Sequence, residues 1–286
     1  MKKGKITKVL IIITLVFAIF SCFNVEVAYA YPYYEGKEIT LRGSFYTSYG
    51  SSKEERKHNI ALACKSINKT FIDVNEEFSF NKVVGRRTEK RGYKKAVIIS
   101  NGSFIEGVGG GVCQVSTTLY NAVLLSGLKV TEFHPHSLPV GYVAPSFDAM
   151  VNSGSADLRF INNTRMPIIV VASADGSRLK VEIYGEPMRE KYLRKSIITS
   201  EIPAPPEIIE EIENEEYPEL EIGEQKVITY SKKGIKSEGI LIKTINGKMV
   251  SKKRIRKDTY RPQTGKIIVR KEIKAKEEVI EQNVVG

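Results

Sequence analysis

Gly109-Gly110-Gly111-Val112-Cys113 sets three glycines directly before a helix-like segment and delivers one cysteine to its start. Three ordered glycines cost more backbone entropy than other residues would. The run makes sense where main chain must pass close to something or turn its amides into a pocket. A cysteine at a helix N-terminus is favoured as thiolate by the dipole and the N–H groups there. The same stretch, Gly110, Gly111 and Gln114, is placed to stabilise an oxyanion when the sulfur attacks a carbonyl. A thiol nucleophile also needs a base. Of the three histidines, His58 reads as a surface residue of an earlier helix. His134 and His136 flank Pro135 in a Pro- and Gly-rich loop beyond the Cys113 helix. In an extended segment both rings point the same way, so either reaches the thiol. The partner that orients the base stays open between Asp148, Ser137 and a backbone carbonyl.

Three plainer readings compete. Cys64 and Cys113 would form a disulfide in an exported chain. Cys113, His134 and His136 would make three zinc ligands, although no Cys-x-x-Cys supports a metal. An inert buried cysteine would leave the glycines with packing alone. Cys64 falls on the apolar stripe Ile60, Cys64, Ile67 and Phe71 of a helix, which weakens the disulfide. Neither a metal nor a cofactor is expected.

The elements that must position these residues follow from pattern. Ile39–Tyr46 alternates as a strand. Ser52 with Glu55 is a capping box opening the first helix. Phe78–Phe80 and Ala96–Ile99 read as strands, and Asn101-Gly102 turns the second into Ser103–Ile105. Val115, Leu119, Ala122 and Val123 give Cys113–Leu125 its apolar face, and Gly127 suits the C′ position. Lys129–Phe133, Ala156–Ile161, Pro167–Ala172 and Arg178–Tyr184 read as further strands. Composition then shifts. Glu201 to Glu224 holds ten Glu and no Lys or Arg, whereas Lys226 to Lys276 holds seventeen Lys or Arg. Lys226–Tyr230, Gly239–Ile245, Lys248–Lys257 and Lys266–Arg270 are strand-like, with Asn246-Gly247 as a hairpin turn. The expected fold class is mixed α+β, followed by a small extended all-β module.

Residues 1–30 read as a signal peptide or N-terminal anchor. Lys2, Lys3, Lys5 and Lys8 precede an apolar run, and Ala28-Tyr29-Ala30 is a small-x-small cleavage site. An uncleaved anchor would use residues 9–23 and would be the sole membrane contact. The expected location is secreted, in the extracytoplasmic cell envelope. The whole chain carries a net charge of +11. Outside a cell a basic surface meets anionic envelope more readily than nucleic acid, and no aromatic-plus-basic signature for nucleic acid is present.

The segments Phe78-Ser79-Phe80-Asn81, Val84-Gly85-Arg86-Arg87-Thr88, Gly109 to Ala122, His134-Pro135-His136-Ser137-Leu138-Pro139 and Asp148-Ala149 resemble the VanW domain in order and spacing. Arg86 stands where that pattern has proline. Gly223, Gly234, Gly239, Gly247 and Gly265, with Thr244–Lys248 as hairpin, resemble the G-five domain. The resemblances imply a VanW catalytic domain over 31–190, a G-five β module over 197–274 and a disordered tail over 275–286. They imply a cysteine-dependent L,D-transpeptidase that cross-links peptidoglycan through a thioester acyl-enzyme. Cys113 would be nucleophile, and His136, or else His134, the base. Arg87 would hold a substrate carboxylate. The partners implied are peptidoglycan stem peptides and N-acetylglucosamine-containing glycan strands. A non-catalytic wall-binding protein and a thiol peptidase hydrolysing wall peptides are the alternatives.

Overall fold

The computed structural model describes residues 33, 34, 36–100, 102–212 and 217–271. The expected signal or anchor and the expected tail lie outside the described residues, as does Asn101 of the expected Asn101-Gly102 turn. A two-stranded ribbon, β1 (Tyr33–Tyr34) and β2 (Lys37–Glu38), opens the described chain. A four-stranded antiparallel sheet follows, in the order β3 (Thr40–Ser48), β11 (Arg178–Gly185), β10 (Ile168–Ala174), β4 (Thr70–Ile72). Side chains alternate across it: Leu179, Val181 and Ile183 of β11 are fully buried, while Tyr46 and Phe71 are exposed on neighbouring strands. Each fully buried aliphatic contributes roughly 1.5–3 kcal/mol.

Helix α1 (Glu54–Ile67) packs on β10, and α3 (Val112–Leu125) packs on β3 and β11. The capping box does not form. Ser52 N–H is spent in a turn on Tyr49 O at 2.9 Å, and the helix starts one residue later, from Lys53 without a side-chain cap. The stripe on α1 is shorter than its spacing suggests. Ile60, Cys64 and Ile67 are buried, but the helix ends at Ile67 and Phe71 belongs to β4.

A second small sheet, in the order β5 (Glu77–Ser79), β9 (Arg159–Ile161), β8 (Lys129–Glu132), is pinned by stacked Phe78 and Phe160, whose ring centroids are 4.9 Å apart. The short helix α2 (Phe80–Val84) continues from β5. Strands β6 (Lys95–Ser100) and β7 (Ser103–Val108) form a hairpin leading into the glycine run.

Strand β12 (Glu190–Ile202) pairs with β15 (Gly234–Ile245), which pairs in turn with β16 (Lys248–Tyr260). The last sheet holds β13 (Ile208–Ile212), β17 (Lys266–Arg270) and β14 (Gln225–Thr229). Pattern reading found no strand at β12 or β13. Both gain order from pairing with β15 and β17, which no local signal announces. Leu241 and Ile255 of the long sheet reach the core of the first part of the chain. The chain is α+β but strand-dominated. Among the described residues no helix is long and apolar enough to cross a membrane.

Candidate active site

The glycine run is fixed by what it touches. A Cβ on Gly110 would meet Val97 O at 2.7 Å and Ala96 O at 2.8 Å, so only glycine lets the run cross β6. Gly111 is the helix N-cap at φ 108°. Asn59 of α1 clamps the crossing: its Nδ2 donates to Lys94 O at 2.9 Å and to Gly110 O at 3.0 Å, and its Oδ1 accepts from Lys94 N at 2.8 Å.

Helix α3 is buried on nearly every side, including polar ones. Ser116, Thr117, Thr118 and Asn121 are fully buried. They are there to hold the segment 147–149. Ser116 Oγ donates to Ala149 O at 2.6 Å, Ala149 N to Thr117 Oγ1 at 2.9 Å, and Asn121 Nδ2 to Phe147 O at 2.8 Å. Buried polar groups left unpaired are costly, so these bonds specify one placement of Asp148 beside α3.

β8 runs back along α3 and carries the histidine loop to its N-terminus. His136 is 5% exposed and Asp148 1%. Asp148 Oδ2 accepts from His136 Nδ1 at 2.7 Å and from the His136 backbone N at 2.6 Å. That fixes the tautomer and leaves Nε2 unclaimed by Asp148, and the charges of His136 and Cys113 act on one another. Cys113 Sγ also lies 3.3 Å from Val151 O, an acceptor for the thiol form. Burial raises the Cys113 pKa, but the hydrogen bond and charge of His136 and the charge of Arg87 outweigh it, and the net shift is downward. Burial lowers His136, but its bonds to Asp148 and Cys113 win and raise it to about 9. Burial likewise raises Asp148, and the His136 bond and charge, with Arg256 and Tyr260, hold it below the usual carboxylate range. The two shifts run in the same sense, each favouring the thiolate beside the imidazolium.

His134 goes elsewhere. Its Nε2 faces Glu132 Oε1 at 2.9 Å, and its backbone O accepts from Met150 N at 2.8 Å. The zinc set of Cys113, His134 and His136 is therefore not assembled, and among the described residues no three His, Cys, Asp or Glu are placed to hold a metal. Both described cysteines are free. Cys64 is buried in the core, where burial pushes its thiol up to about 12. His58 faces Gly92 O at 2.9 Å.

Gln114 needs correction as an oxyanion donor. Its backbone N is spent on Gly111 O at 3.0 Å. Its side chain is buried and donates to Thr47 Oγ1 at 3.0 Å and Ser48 O at 2.9 Å. It ties α3 to β3. Val112 N is spent on Gly109 O at 3.1 Å, whereas the Cys113 N–H finds no acceptor among the described residues. Arg87 donates through Nη1 to Asn81 Oδ1 at 2.7 Å and Gly85 O at 3.1 Å, while still lining the cleft beside Cys113. Ser137 lines the cleft too, and its carbonyl accepts from Arg261 N at 2.7 Å.

Cys113 and His136 line a cleft of about 1110 Å³. Arg56, Arg87, Lys232 and Arg261 also line it, and among the described residues no Asp or Glu does. Sequence reading missed Arg56 and Tyr142, which lie near Cys113, and everything contributed from beyond residue 190. Arg56 sat one turn before Ile60 on a helix whose exposed face looked like ordinary solvated charge.

Residues 55–184 match the family model described as VanW like protein, and residues 198–270 match the G5 domain. The chain thus carries a VanW-like stretch followed by a stretch matching the G5 domain. The VanW-like part includes every residue of the Cys113–His136–Asp148 chain. The chain is 44% identical over 153 residues to the uncharacterized protein YoaR of Bacillus subtilis, covering 54% of this chain and 50% of that protein. It is 25% identical over 139 residues to the vancomycin B-type resistance protein VanW of Enterococcus faecalis, covering 47% of this chain and 50% of that one. The chain thus spans about half the length of these relatives. Among solved structures, the IgA1 protease G5 domain matches at 24% identity, covering 29% of this chain and 90% of its own, with a TM-score of 0.19. The HP0197 G5 structure matches at 13% identity over 29% of this chain and 99% of its own, with a TM-score of 0.15.

Proposed function

We propose that this VanW-like protein acts in the cell wall as a cysteine L,D-transpeptidase on peptidoglycan stem peptides. The observation that carries the reading is half-buried Cys113 with buried His136 and Asp148 behind it, on a cleft that among the described residues is lined by four cationic side chains and no acid. An inert cysteine has no use for a raised histidine held by a buried carboxylate. The thiolate attacks the carbonyl of a donor stem residue, and the Cys113 N–H faces the developing oxyanion. His136 gives its Nε2 proton to the departing amine of the terminal D-residue, leaving a thioester. An amine of a second stem then loses a proton to His136 as it displaces the sulfur, forming the cross-link. Arg56, Arg87, Lys232 and Arg261 favour a donor with free carboxylates. The G5 domain would hold the enzyme on glycan strands, and the envelope would be its location.

Incubating the purified full chain with stem tetrapeptides and an amine acceptor tests the reading. We expect cross-linked dimer and a thioester adduct on Cys113 trapped by mass spectrometry. Cys113→Ala should abolish both while keeping the fold. Cross-linking by that variant would end the nucleophile assignment. Free acid as sole product, with acceptor present, would make the protein a thiol peptidase. No turnover and retained sacculus binding would leave a wall-binding protein.

A further inference from the structure

Asp148 belongs to the VanW-like domain, yet the groups that fix its second oxygen come from the other one. Tyr260, at the end of β16 and 1% exposed, donates its hydroxyl to Asp148 Oδ1 at 2.5 Å. Its oxygen also accepts from Ser146 N at 2.7 Å. Arg256, whose side chain is fully buried, donates through Nη1 to Asp148 O and places Nη2 3.4 Å from Asp148 Oδ1. Its own orientation is set by Asp258 Oδ2 at 2.9 Å and by the rings of Phe133 and Tyr120 at 4.6 and 5.5 Å. The approach of the two domains depends on a glycine: a Cβ on Gly239 would meet Ser146 O at 2.8 Å. Beside it Ser237 Oγ and Ser146 Oγ are 2.7 Å apart.

We propose that Arg256 and Tyr260 of the G5 domain are positioning residues of the active site, fixing the Asp148 carboxylate so that Oδ2 faces His136. A carboxylate has two oxygens and one torsion that points them. The two donors on Oδ1 hold that torsion, and His136 takes Oδ2. The G5 domain is then a structural part of the reacting centre. It also walls the cleft with Lys232, Thr259 and Arg261. A module serving adhesion alone has no reason to bury a tyrosine and an arginine on the neighbouring domain's histidine partner.

The inference rests on the thiol-nucleophile reading of Cys113 and on no particular substrate, so its test uses none. The full chain is alkylated with iodoacetamide across pH 4–10, and modification of Cys113 is followed by mass spectrometry, with buried Cys64 as internal reference. The wild type should react on a plateau reached well below the free-thiol range of about 8.5. Tyr260→Phe keeps the ring and removes the donor. It should move the midpoint up by about one pH unit, a tenfold loss of thiolate on the acid limb. Arg256→Lys keeps the charge and loses the fork, and should move the midpoint the same way. Ser237→Ala breaks a bond of the same interface that does not touch Asp148, and should leave the profile unchanged. An unshifted profile in either folded variant at Asp148, or an equal shift in Ser237→Ala, overturns the positioning role. A wild-type midpoint at the free-thiol value overturns the nucleophile reading instead.

Discussion

At the scale of residues, the proposed chemistry turns on one proton shared between half-buried Cys113 and buried His136. The Cys113 pKa is lowered and that of His136 is raised to about 9, each partly by the other. The thiolate–imidazolium pair therefore exists between the lowered thiol value and about 9. Below that window sulfur is protonated, and above it the histidine has no proton for the leaving amine. The acylation rate against pH should form a bell whose alkaline limb lies near 9, readable from pre-steady-state kinetics with a stem peptide. His136→Gln should cost about a thousandfold or more in that rate. His134→Gln should cost little, since its ring is turned to Glu132. A large loss in His134→Gln alone would reverse the assignment.

At the scale of elements, the cysteine is placed by a crossing. The glycine run passes over β6 with no room for a side chain at Gly110, and Asn59 of α1 locks the crossing from below. Gly110→Ala must displace backbone on one side or the other. It should destabilise by about 1–3 kcal/mol, the usual cost of overpacking. It should also lower Cys113 alkylation at neutral pH by moving the helix start. Urea denaturation and the alkylation rate, measured together, check both effects. The fourteen-residue helix α3 is the other positioning element. Its apolar stripe was plain in the sequence, but its polar face is equally buried and holds Asp148 through Ser116, Thr117 and Asn121. A periodicity argument assigns such residues to solvent, because it has no means of knowing that a loop returns to cover them.

At the scale of the whole molecule, the two domains share a buried charge. Asp148 is held well below the ordinary carboxylate range by His136, Arg256 and Tyr260. A depressed folded pKa contributes stability that is present above the unfolded value, about 3.9. That stability is lost as pH falls through the lower folded value. Acidification should therefore loosen the contact between the domains. The urea midpoint of the wild type should fall between pH 5 and pH 3, and Asp148→Asn should show a smaller fall over the same interval. An identical fall in both would show that Asp148 does not couple the domains.

The sequence by itself determined a thiol at a helix start, a histidine loop able to serve it, the VanW and G-five resemblances and the hairpin around Gly247. Each rests on neighbours in the chain: glycines before a helix, a 3.6-residue stripe, a two-residue turn. It left the base open between two histidines and the orienting group open between Asp148, Ser137 and a carbonyl. Only the tertiary structure shows that His136 lies on Asp148 while His134 turns to Glu132, because that depends on which side chain a returning loop brings within hydrogen-bond reach. It also turned Gln114 inward, put Phe71 on a strand and ordered β12 and β13 through partners distant in sequence. Above all it brought Arg256 and Tyr260 to Asp148 across more than one hundred residues. Arg256 read as one cation among many in a basic stretch, since charge in a sequence carries no sign of the carboxylate it will meet.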